Sequence, residues 1–289
     1  MSKLPPWIQE MDGTLWFVEE DRGNLNIHYR IKEVIFSQQS DFQHVMILDT
    51  YDFGRALVLD GALQTTALDG HIYNEMMAHV PLQIHPQARK VLIIGGGDCG
   101  VAREVAKYEH VEQVDMVEID PLVVEVCRKY LPEVSGSLDD PKVNFIFDDG
   151  LKFVQNKEKE YDVVIVDSSD PVGPAVGLIE LPFYRHVERI LKDDGVMVCQ
   201  SQSPIFEVDT VVDIGKKVSS LFPIQEVYIA VVPTYPGGMW SFTLGSKRYK
   251  REQTLRVAPK DTRYFNEGIY RSCFELPASL KESLKNYQK

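Results

Sequence analysis

From about Ile72 onwards, the chain alternates short apolar runs with stretches of helical character. This alternation is typical of a sheet of parallel strands connected by helices, and it constrains the fold more than any other feature of the sequence. A helix is predicted over 123–130, ending before Pro132. The predicted strands are 91–94, 114–119, 143–147, 163–166 and 196–199, with further β-rich stretches at 227–232 and 240–244.

Residues 15–66, by contrast, contain short β-like runs separated by turns. Asp60-Gly61 is a strong signal for a two-residue hairpin turn between two of these runs. We therefore expect a small antiparallel sheet at the amino terminus.

Charge and hydropathy exclude several classes of protein. The 289 residues carry a formal net charge of −12, which disfavours nucleic acid and anionic membranes as partners and mildly favours cationic ligands. No apolar run approaches the ~18 residues that a membrane helix needs. Pro5 and Pro6 lie where a signal peptide would need its apolar stretch. We expect a cytoplasmic protein.

The spacing of cysteine and histidine residues gives no sign of a metal site. No Cys-x-x-Cys pair and no His-Glu-x-x-His pattern occurs. We therefore expect no metal and a reducing compartment. The cysteines lie far apart, at Cys99, Cys127, Cys199 and Cys273.

Acidic residues follow four successive predicted strands. In an open parallel sheet, ligands bind outside the carboxyl ends of the strands, so we expect these acids to share one edge. Such a crevice suits a cation, either a sulfonium or an amine. The acids are Asp98 after the first strand, Glu118 and Asp120 after the second, Asp148 and Asp149 after the third, and Asp167 and Asp170 after the fourth.

The turn after the first strand, Gly95-Gly96-Gly97-Asp98-Cys99-Gly100, satisfies the pattern Gly-x-Gly-x-x-Gly, with an acid roughly 20 residues later. A nicotinamide-dependent dehydrogenase is therefore one alternative. Asp98 counts against it, because its charge would repel the phosphates that such a turn binds.

Three of the strand ends indicate particular contacts. Glu118 is suited to accept both ribose hydroxyls of a nucleoside. Asp149 is suited to accept from an adenine amine, and Gly150 allows the backbone to approach the ring. Asp167 and Asp170 flank two serines at a strand end, and the proline- and glycine-rich segment that follows is predicted to be an active-site lid.

Seven short motifs occur here in a specific combination, which covers the chain from about Trp16 to Pro277. Together they resemble the spermidine synthases, which are polyamine aminopropyltransferases. The motifs are residues 59–64, 73–77, 95–98, 117–120 and 149–150, Asp167-Ser168-Ser169-Asp170-Pro171-Val172-Gly173-Pro174, and Pro233-Thr234-Tyr235-Pro236.

The resemblance implies an α/β protein with a Rossmann-like, methyltransferase-type parallel sheet domain and a small amino-terminal antiparallel β domain. The expected boundaries are 1–68 for the β-strand domain and 69–289 for the catalytic domain. It also implies a homodimer or homotetramer. The reaction would move the aminopropyl group of decarboxylated S-adenosylmethionine, the co-substrate, to putrescine, giving spermidine and methylthioadenosine.

The resemblance assigns roles to individual residues. Asp167, Tyr73 and Asp170 correspond to catalytic residues, with Asp167 as the base, and Asp98 corresponds to the acid that receives the ammonium group of the donor. The groups that position the acceptor amine correspond to Tyr73, Asn74, Asp170 and Tyr235. The donor-binding residues correspond to Gln43, Gly95, Gly97, Asp98, Glu118, Asp149, Gly150 and Pro174.

The implied chemistry is a direct displacement, in which an amine attacks the carbon next to a sulfonium and a neutral thioether leaves. Alignment of the two reactants can remove about 7–11 kcal/mol of barrier. We expect burial and the neighbouring Asp170 to raise the pKa of Asp167 above the ordinary value of about 3.9, so that it can accept the amine proton. Asp98 would repel the carboxylate of intact S-adenosylmethionine and thereby select the decarboxylated donor.

Three departures from the family pattern leave the acceptor open. Asn74 stands where relatives often carry Gln or His, Cys99 replaces a common glycine, and residues 201–206 differ from the pattern of putrescine enzymes. Putrescine, agmatine, cadaverine and a longer polyamine are all alternatives. Two other classes stay open: an S-adenosylmethionine-dependent amine methyltransferase on the same fold, and a polyamine-binding protein without catalytic activity.

Overall fold

The computed structural model describes residues 4–136, 138–169, 173–253 and 259–286. The chain divides into two compact units. The first contains the chain up to His71 together with Gly97–Gly100 and Asp120–Leu138, and the second contains the remainder. No helix among these described residues is long and apolar enough to span a membrane.

The first unit is built on an antiparallel sheet of six strands that pair in chain order. Asp60 and Gly61 form the predicted turn between the last two strands, with positive φ angles of 47° and 82°. The third strand is the longest of the six, and its first half alternates apolar with polar residues. The strands are β1 (Ile8–Met11), β2 (Thr14–Arg22), β3 (Leu25–Gln39), β4 (His44–Thr50), β5 (Arg55–Leu59) and β6 (Ala62–Thr66).

Both faces of this antiparallel sheet are covered. Successive side chains of a strand point to opposite faces, so Met46 joins Phe17 in one core while Ile47 belongs to another. That second core includes residues of α3 (Pro121–Tyr130) and α4 (Pro132–Ser135). The first of these helices confirms the helix predicted over 123–130.

The second unit contains a seven-stranded sheet of order β12-β13-β11-β10-β7-β8-β9. All neighbouring strands are parallel except for β13, which runs antiparallel to both of its neighbours. The predicted α/β fold with an amino-terminal antiparallel sheet is confirmed. The strands are β7 (Lys90–Gly95), β8 (Gln113–Glu118), β9 (Val143–Phe147), β10 (Tyr161–Asp167), β11 (Leu191–Gln200), β12 (Ile224–Val231) and β13 (Met239–Ser246).

Helices cover the second sheet. Val164 of β10 shares a buried core with Tyr184 and Ile214, which lie on the sixth and seventh helices. The remaining helices of the described residues are α1 (Gly70–Ile84), α2 (Gly100–Ala106), α5 (Gly150–Phe153), α6 (Leu181–Ile190), α7 (Val208–Ser219), α8 (Glu267–Ser272) and α9 (Ala278–Asn286), with 3₁₀ turns at Gly173–Ile179 and Arg251–Gln253.

The order of the strands determines where a ligand can bind. From β7 the chain adds β8 and β9 on one side, and it then returns to place β10 on the other side of β7. Ligands of open α/β sheets bind at the carboxyl ends of the strands where the order reverses in this way. In this protein, β7 ends at Gly95 and β10 ends at Asp167.

Candidate active site

The carboxyl end of β10 lies directly against the glycine-rich turn after β7. Asp167 pairs with Gly95, and the Gly96 N–H donates a 2.9 Å hydrogen bond to the Asp167 carbonyl oxygen. A Cβ atom on Gly95 would collide with that oxygen, and one on Gly96 would lie 3.0 Å from Asp167 Oδ2. Both glycines also have positive φ, 85° and 74°, which residues with a side chain rarely adopt. The close approach to Asp167 therefore requires glycine at both positions.

Tyr73 of α1 holds the Asp167 carboxylate. The phenol is on a side chain that is only 8% exposed, and it donates a 2.7 Å hydrogen bond to Asp167 Oδ1. A hydrogen bond to an ionised carboxylate is stronger than one between neutral groups and fixes the direction of the acceptor. Two residues that the resemblance assigns to catalysis are therefore in direct contact.

An aromatic cluster surrounds Tyr73. Its ring centroid lies 5.9 Å from that of Tyr235 and 5.5 Å from that of Phe242, and the ring of Tyr235 lies 4.6 Å from that of Trp240. The faces of aromatic rings attract cations. The structure thus joins Tyr235, a predicted acceptor residue, to Tyr73 and Asp167.

Two polar side chains, one next to Tyr73 in the sequence and one within this cluster, are buried without a hydrogen-bond partner among the described residues. Asn74 follows Tyr73 on α1 and is 1% exposed, and both its Oδ1 and its Nδ2 lack a partner. The indole Nε1 of Trp240 also lacks one. Because buried polar groups are nearly always hydrogen-bonded, these three atoms are suited to meet a ligand or a water molecule.

Residues 201–206, one of the stretches that leave the acceptor open, begin where β11 ends. Gln202 is buried and has a positive φ of 71°. Its backbone N–H donates a 3.0 Å hydrogen bond to Gln200 Oε1, and Gln200 Nε2 lies 3.4 Å from the carbonyl oxygen of Ser168. This stretch is therefore connected to the residue that follows Asp167.

The predicted donor-binding residues of the second unit lie at the ends of β8 and β9. Glu118 is the last residue of β8 and is buried. Asp149 caps α5, since its Oδ1 accepts a 2.9 Å hydrogen bond from the Leu151 N–H. A Cβ atom on Gly150 would lie 2.5 Å from Ile94 Cγ2. Packing against Ile94 is thus a reason for glycine here that the sequence did not indicate.

Other predicted donor-binding residues belong to the first unit. Gln43 Nε2 donates a 3.0 Å hydrogen bond to Asp120 Oδ2. Asp98 is half-buried, and its Oδ1 accepts a 2.7 Å hydrogen bond from the Gly100 N–H. The turn therefore holds the Asp98 carboxylate through its own backbone.

Cys99 departs from the family pattern at a position with unusual backbone geometry. The residue is fully buried and has a φ of 67°. Its Sγ lies 3.6 Å from the carbonyl oxygen of Gly97. Because side-chain-bearing residues are uncommon at positive φ, glycine would adopt this backbone conformation more easily than cysteine does.

Two predicted site residues cannot be placed in full. Asp170, with Pro171 and Val172, lies outside the described residues. Pro174 belongs to the 3₁₀ turn Gly173–Ile179, and its side chain is not described. The predicted lid in this segment stays a prediction.

Sequence reasoning missed Trp240 and Phe242 as neighbours of the acceptor residues. It identified their strand only as an apolar stretch. Trp240 and Phe242 are two positions apart on β13, so both side chains lie on one face. This spacing of two aromatic residues was the sequence signal that could have identified them. Asp120 was noted as an acid but was given no role.

The strand order and the acids at the switch point define a Rossmann-like α/β transferase. Two family descriptions match the chain: "Spermine/spermidine synthase domain" over residues 70–255, and "Spermidine synthase tetramerisation domain" over residues 15–67. The chain belongs to the spermine/spermidine synthase family, whose curated relatives are named polyamine aminopropyltransferases.

Relatives and solved structures agree with this assignment. The polyamine aminopropyltransferase of Desulforudis audaxviator is 45% identical over 273 residues, covering 94% of this chain and 99% of that protein. The one from Methanocaldococcus jannaschii is 46% identical over 279 residues, covering 94% and 95%. A spermidine synthase solved in complex with the transition state analogue AdoDATO superposes with a TM-score of 0.91 at 36% identity, covering 99% of this chain and 100% of that chain. The spermidine synthase of Thermotoga maritima has a TM-score of 0.90 at 37% identity, covering 96% of each chain.

Proposed function

We propose that this enzyme transfers the aminopropyl group of decarboxylated S-adenosylmethionine to putrescine, giving spermidine and methylthioadenosine. The amine nitrogen attacks the methylene carbon next to the sulfonium sulfur. A C–N bond forms while the C–S bond breaks, and its electron pair goes to sulfur, which leaves as a neutral thioether. Asp167 accepts the proton that the amine loses.

The hydrogen bond between Tyr73 and Asp167 carries this proposal. It fixes a carboxylate at the switch point of the sheet, where a ligand of this fold binds. The sulfonium is already an activated leaving group, so the displacement needs alignment of the two reactants and a proton acceptor of fixed direction. The similarity to a spermidine synthase solved with a transition state analogue supports the same conclusion.

For the acceptor, we propose that Tyr73, Asn74 and Tyr235 position the amine, together with Asp170. The aromatic faces of Tyr73 and Tyr235 favour a cationic chain. The unpartnered amide of Asn74 can donate to and accept from an amine.

For the donor, we propose that Asp98 receives the ammonium group of the aminopropyl arm. An intact S-adenosylmethionine would bring its carboxylate to the same place, so its binding would be opposed by repulsion. We assign the nucleoside part to the residues Gln43, Gly95, Gly97, Glu118, Asp149, Gly150 and Pro174.

The test uses the purified full-length chain with putrescine and either decarboxylated or intact S-adenosylmethionine. Amines and methylthioadenosine are quantified by chromatography. We expect spermidine with the decarboxylated donor alone. Methylated amine from the intact donor would overturn the proposal and make the protein a methyltransferase. Turnover with agmatine, cadaverine or spermidine but not with putrescine would contradict the proposed acceptor.

Asp167→Asn tests the base. We expect the variant to keep its fold and its affinity for methylthioadenosine, and to lose turnover by about 10²–10⁴-fold, the usual effect of a general base. Asp139→Asn is the matched control, because it makes the same change at an exposed acid of the same unit that has no proposed role, and we expect it to keep its activity. Near-normal turnover by Asp167→Asn would remove Asp167 as the base.

We further propose that the enzyme works as a homodimer or homotetramer. The match of residues 15–67 to a tetramerisation domain supports an assembly of identical chains. The cytoplasmic location expected from the sequence stays a prediction.

A further inference from the structure

The carboxylate of Asp120 is buried and binds three hydrogen-bond donors within the first unit. Asp120 is 1% exposed. Its Oδ2 accepts a 2.7 Å hydrogen bond from Ser40 Oγ and a 3.0 Å hydrogen bond from Gln43 Nε2, while its Oδ1 accepts a 3.0 Å hydrogen bond from the Leu122 N–H. One oxygen thus caps α3, and the other faces the loop before β4. Helix capping explains the hydrogen bond to Oδ1 but not the two hydrogen bonds to Oδ2.

The hydrogen bond to Asp120 Oδ2 determines the orientation of the Gln43 side-chain amide. An ionised carboxylate only accepts hydrogen bonds, whereas a glutamine amide donates through nitrogen and accepts through oxygen. A rotated amide would place Gln43 Oε1 against the oxygens of Asp120, with repulsion in place of a hydrogen bond. The donor end of Gln43 is therefore held by Asp120, and its accepting oxygen is directed away from Asp120.

The backbone of the same loop is fixed by Ser40, whose hydroxyl also donates to Asp120. Ser40 Oγ accepts 3.0 Å hydrogen bonds from the backbone N–H groups of Phe42 and Gln43, and the Ser40 N–H donates a 2.9 Å bond to the Gln43 carbonyl oxygen. The main chain at Gln43 is thus held by Ser40, while the side chain is held by Asp120. Ser40 Oγ also lies 3.0 Å from the Gln43 carbonyl oxygen, an acceptor it can use instead of Asp120. Changing Asp120 should therefore alter the orientation of the amide more than the path of the loop.

We propose that Asp120 is a positioning residue, which directs the Gln43 carbonyl oxygen toward a hydroxyl or amine donor of the bound nucleoside. This inference rests on the donor-binding role proposed for Gln43. A nucleoside offers such donors on its ribose and its base, and a pre-oriented acceptor avoids the loss of side-chain freedom on binding. Asp120 acts through Gln43 and need not touch the donor.

Asp120→Asn tests the orientation without removing the helix cap. Asparagine caps a helix as well as aspartate does. Its amide nitrogen would face Gln43 Nε2, so Gln43 would turn and present its nitrogen to the nucleoside. We expect KM for the decarboxylated donor and Kd for methylthioadenosine to rise about 10-fold, the effect of one lost hydrogen bond. We expect kcat and KM for the amine to stay within about 2-fold.

A double-mutant cycle with Gln43→Ala decides whether Asp120 acts through Gln43. Kd for methylthioadenosine is measured by calorimetry on the full-length chain, so the result does not depend on turnover. We expect Asp120→Asn to change Kd in the wild-type background and to have no further effect in Gln43→Ala. An equal effect in both backgrounds would overturn the inference. The inference would also be overturned if the melting temperature fell and kcat and both KM values changed together, because that result would indicate a purely structural role.

Asp120→Ser provides the second variant, because serine also caps a helix but is too short to reach Gln43. It should weaken methylthioadenosine binding less than Asp120→Asn does, since the amide is released and not reversed. Weaker methylthioadenosine binding by Asp120→Ser than by Asp120→Asn would contradict the proposed orientation. Normal binding by Gln43→Ala would also overturn the inference, while the transfer assay on the wild-type chain would still report on the proposed function.

Discussion

Residues far apart in the sequence set the position of the Asp167 carboxylate. Tyr73 precedes it by 94 positions, and the turn at Gly95 and Gly96 belongs to another strand. Sequence reasoning found Asp167 because acids at strand ends collect at one edge of a parallel sheet. It could not predict the contact with Tyr73, because only tertiary packing brings α1 to the end of β10.

Tyr73→Phe removes the phenol and keeps the ring. We expect kcat to fall roughly 10- to 100-fold, because a hydrogen bond to a charged group contributes about 1.5–3 kcal/mol. The melting temperature should change little, since the ring still packs against Tyr235 and Phe242. Steady-state kinetics measures the change in kcat, and thermal unfolding measures the change in melting temperature.

Tyr249→Phe is the matched control for this variant. Tyr249 donates a hydrogen bond of the same length, 2.7 Å, to the carboxylate of Asp194, which has no role in the proposed reaction. We expect its turnover to equal that of the wild type. If Tyr73→Phe also kept turnover within 2-fold, the phenol would not be needed to hold Asp167.

At the scale of the element, two buried acids hold α1 at positions that follow Tyr73: Glu75 of the helix itself, and Glu104 through its contact with His79. Glu75 accepts hydrogen bonds of 2.7–2.8 Å from the backbone N–H groups of residues 263–265. His79 lies 3.1 Å from Glu104 Oε2 and 3.0 Å from the hydroxyl of Tyr108. Sequence patterns did not reveal these contacts, because an acid in a helical stretch normally indicates an exposed face.

The ionisation of Glu104 makes stability depend on pH. Burial alone would raise the pKa of Glu104, but hydrogen bonds from His79 and Lys107 outweigh it and lower the pKa to about 2, from an ordinary value of 4.5. A carboxyl whose pKa is lower in the folded state stabilises the fold at pH values above its unfolded-state pKa. This contribution is lost as the pH falls from about 4.5 toward 2. The contribution is on the order of 3 kcal/mol.

Urea unfolding of the wild type and of Glu104→Gln between pH 7 and pH 3 measures this contribution. We expect the difference in free energy of unfolding to be largest near pH 7 and to shrink below about pH 4.5. Glu109→Gln changes an exposed acid of the same region and should have little effect at any pH. A difference for Glu104→Gln that stays constant with pH would contradict the assignment.

For the molecule as a whole, the sequence predicted both sheets because their periodicities differ. Apolar runs between helices indicated the parallel sheet, and short runs separated by turns indicated the antiparallel one. The reversed direction of β13 could not be predicted, because an apolar run carries no direction. The boundary at residues 68 and 69 stays a prediction; the first compact unit also includes Gly97–Gly100 and Asp120–Leu138.

The proposed assembly can be measured directly. We expect sedimentation equilibrium of the purified chain to give the mass of two or four copies, because residues 15–67 match a tetramerisation domain. Dilution to the concentration of the activity assay should leave that mass unchanged. The mass of a single chain under those conditions would contradict the proposal.

The contact of Glu75 with residues 263–265 has a consequence for synthesis on the ribosome. The three N–H groups that donate hydrogen bonds to this buried carboxylate are translated 188–190 positions after it. Until they emerge, burying Glu75 would leave a charge without partners, which is strongly unfavourable. The helix that carries Tyr73 can therefore reach its final environment only after residues 263–265 have been made, so a nascent chain cannot complete the proposed catalytic centre before that point.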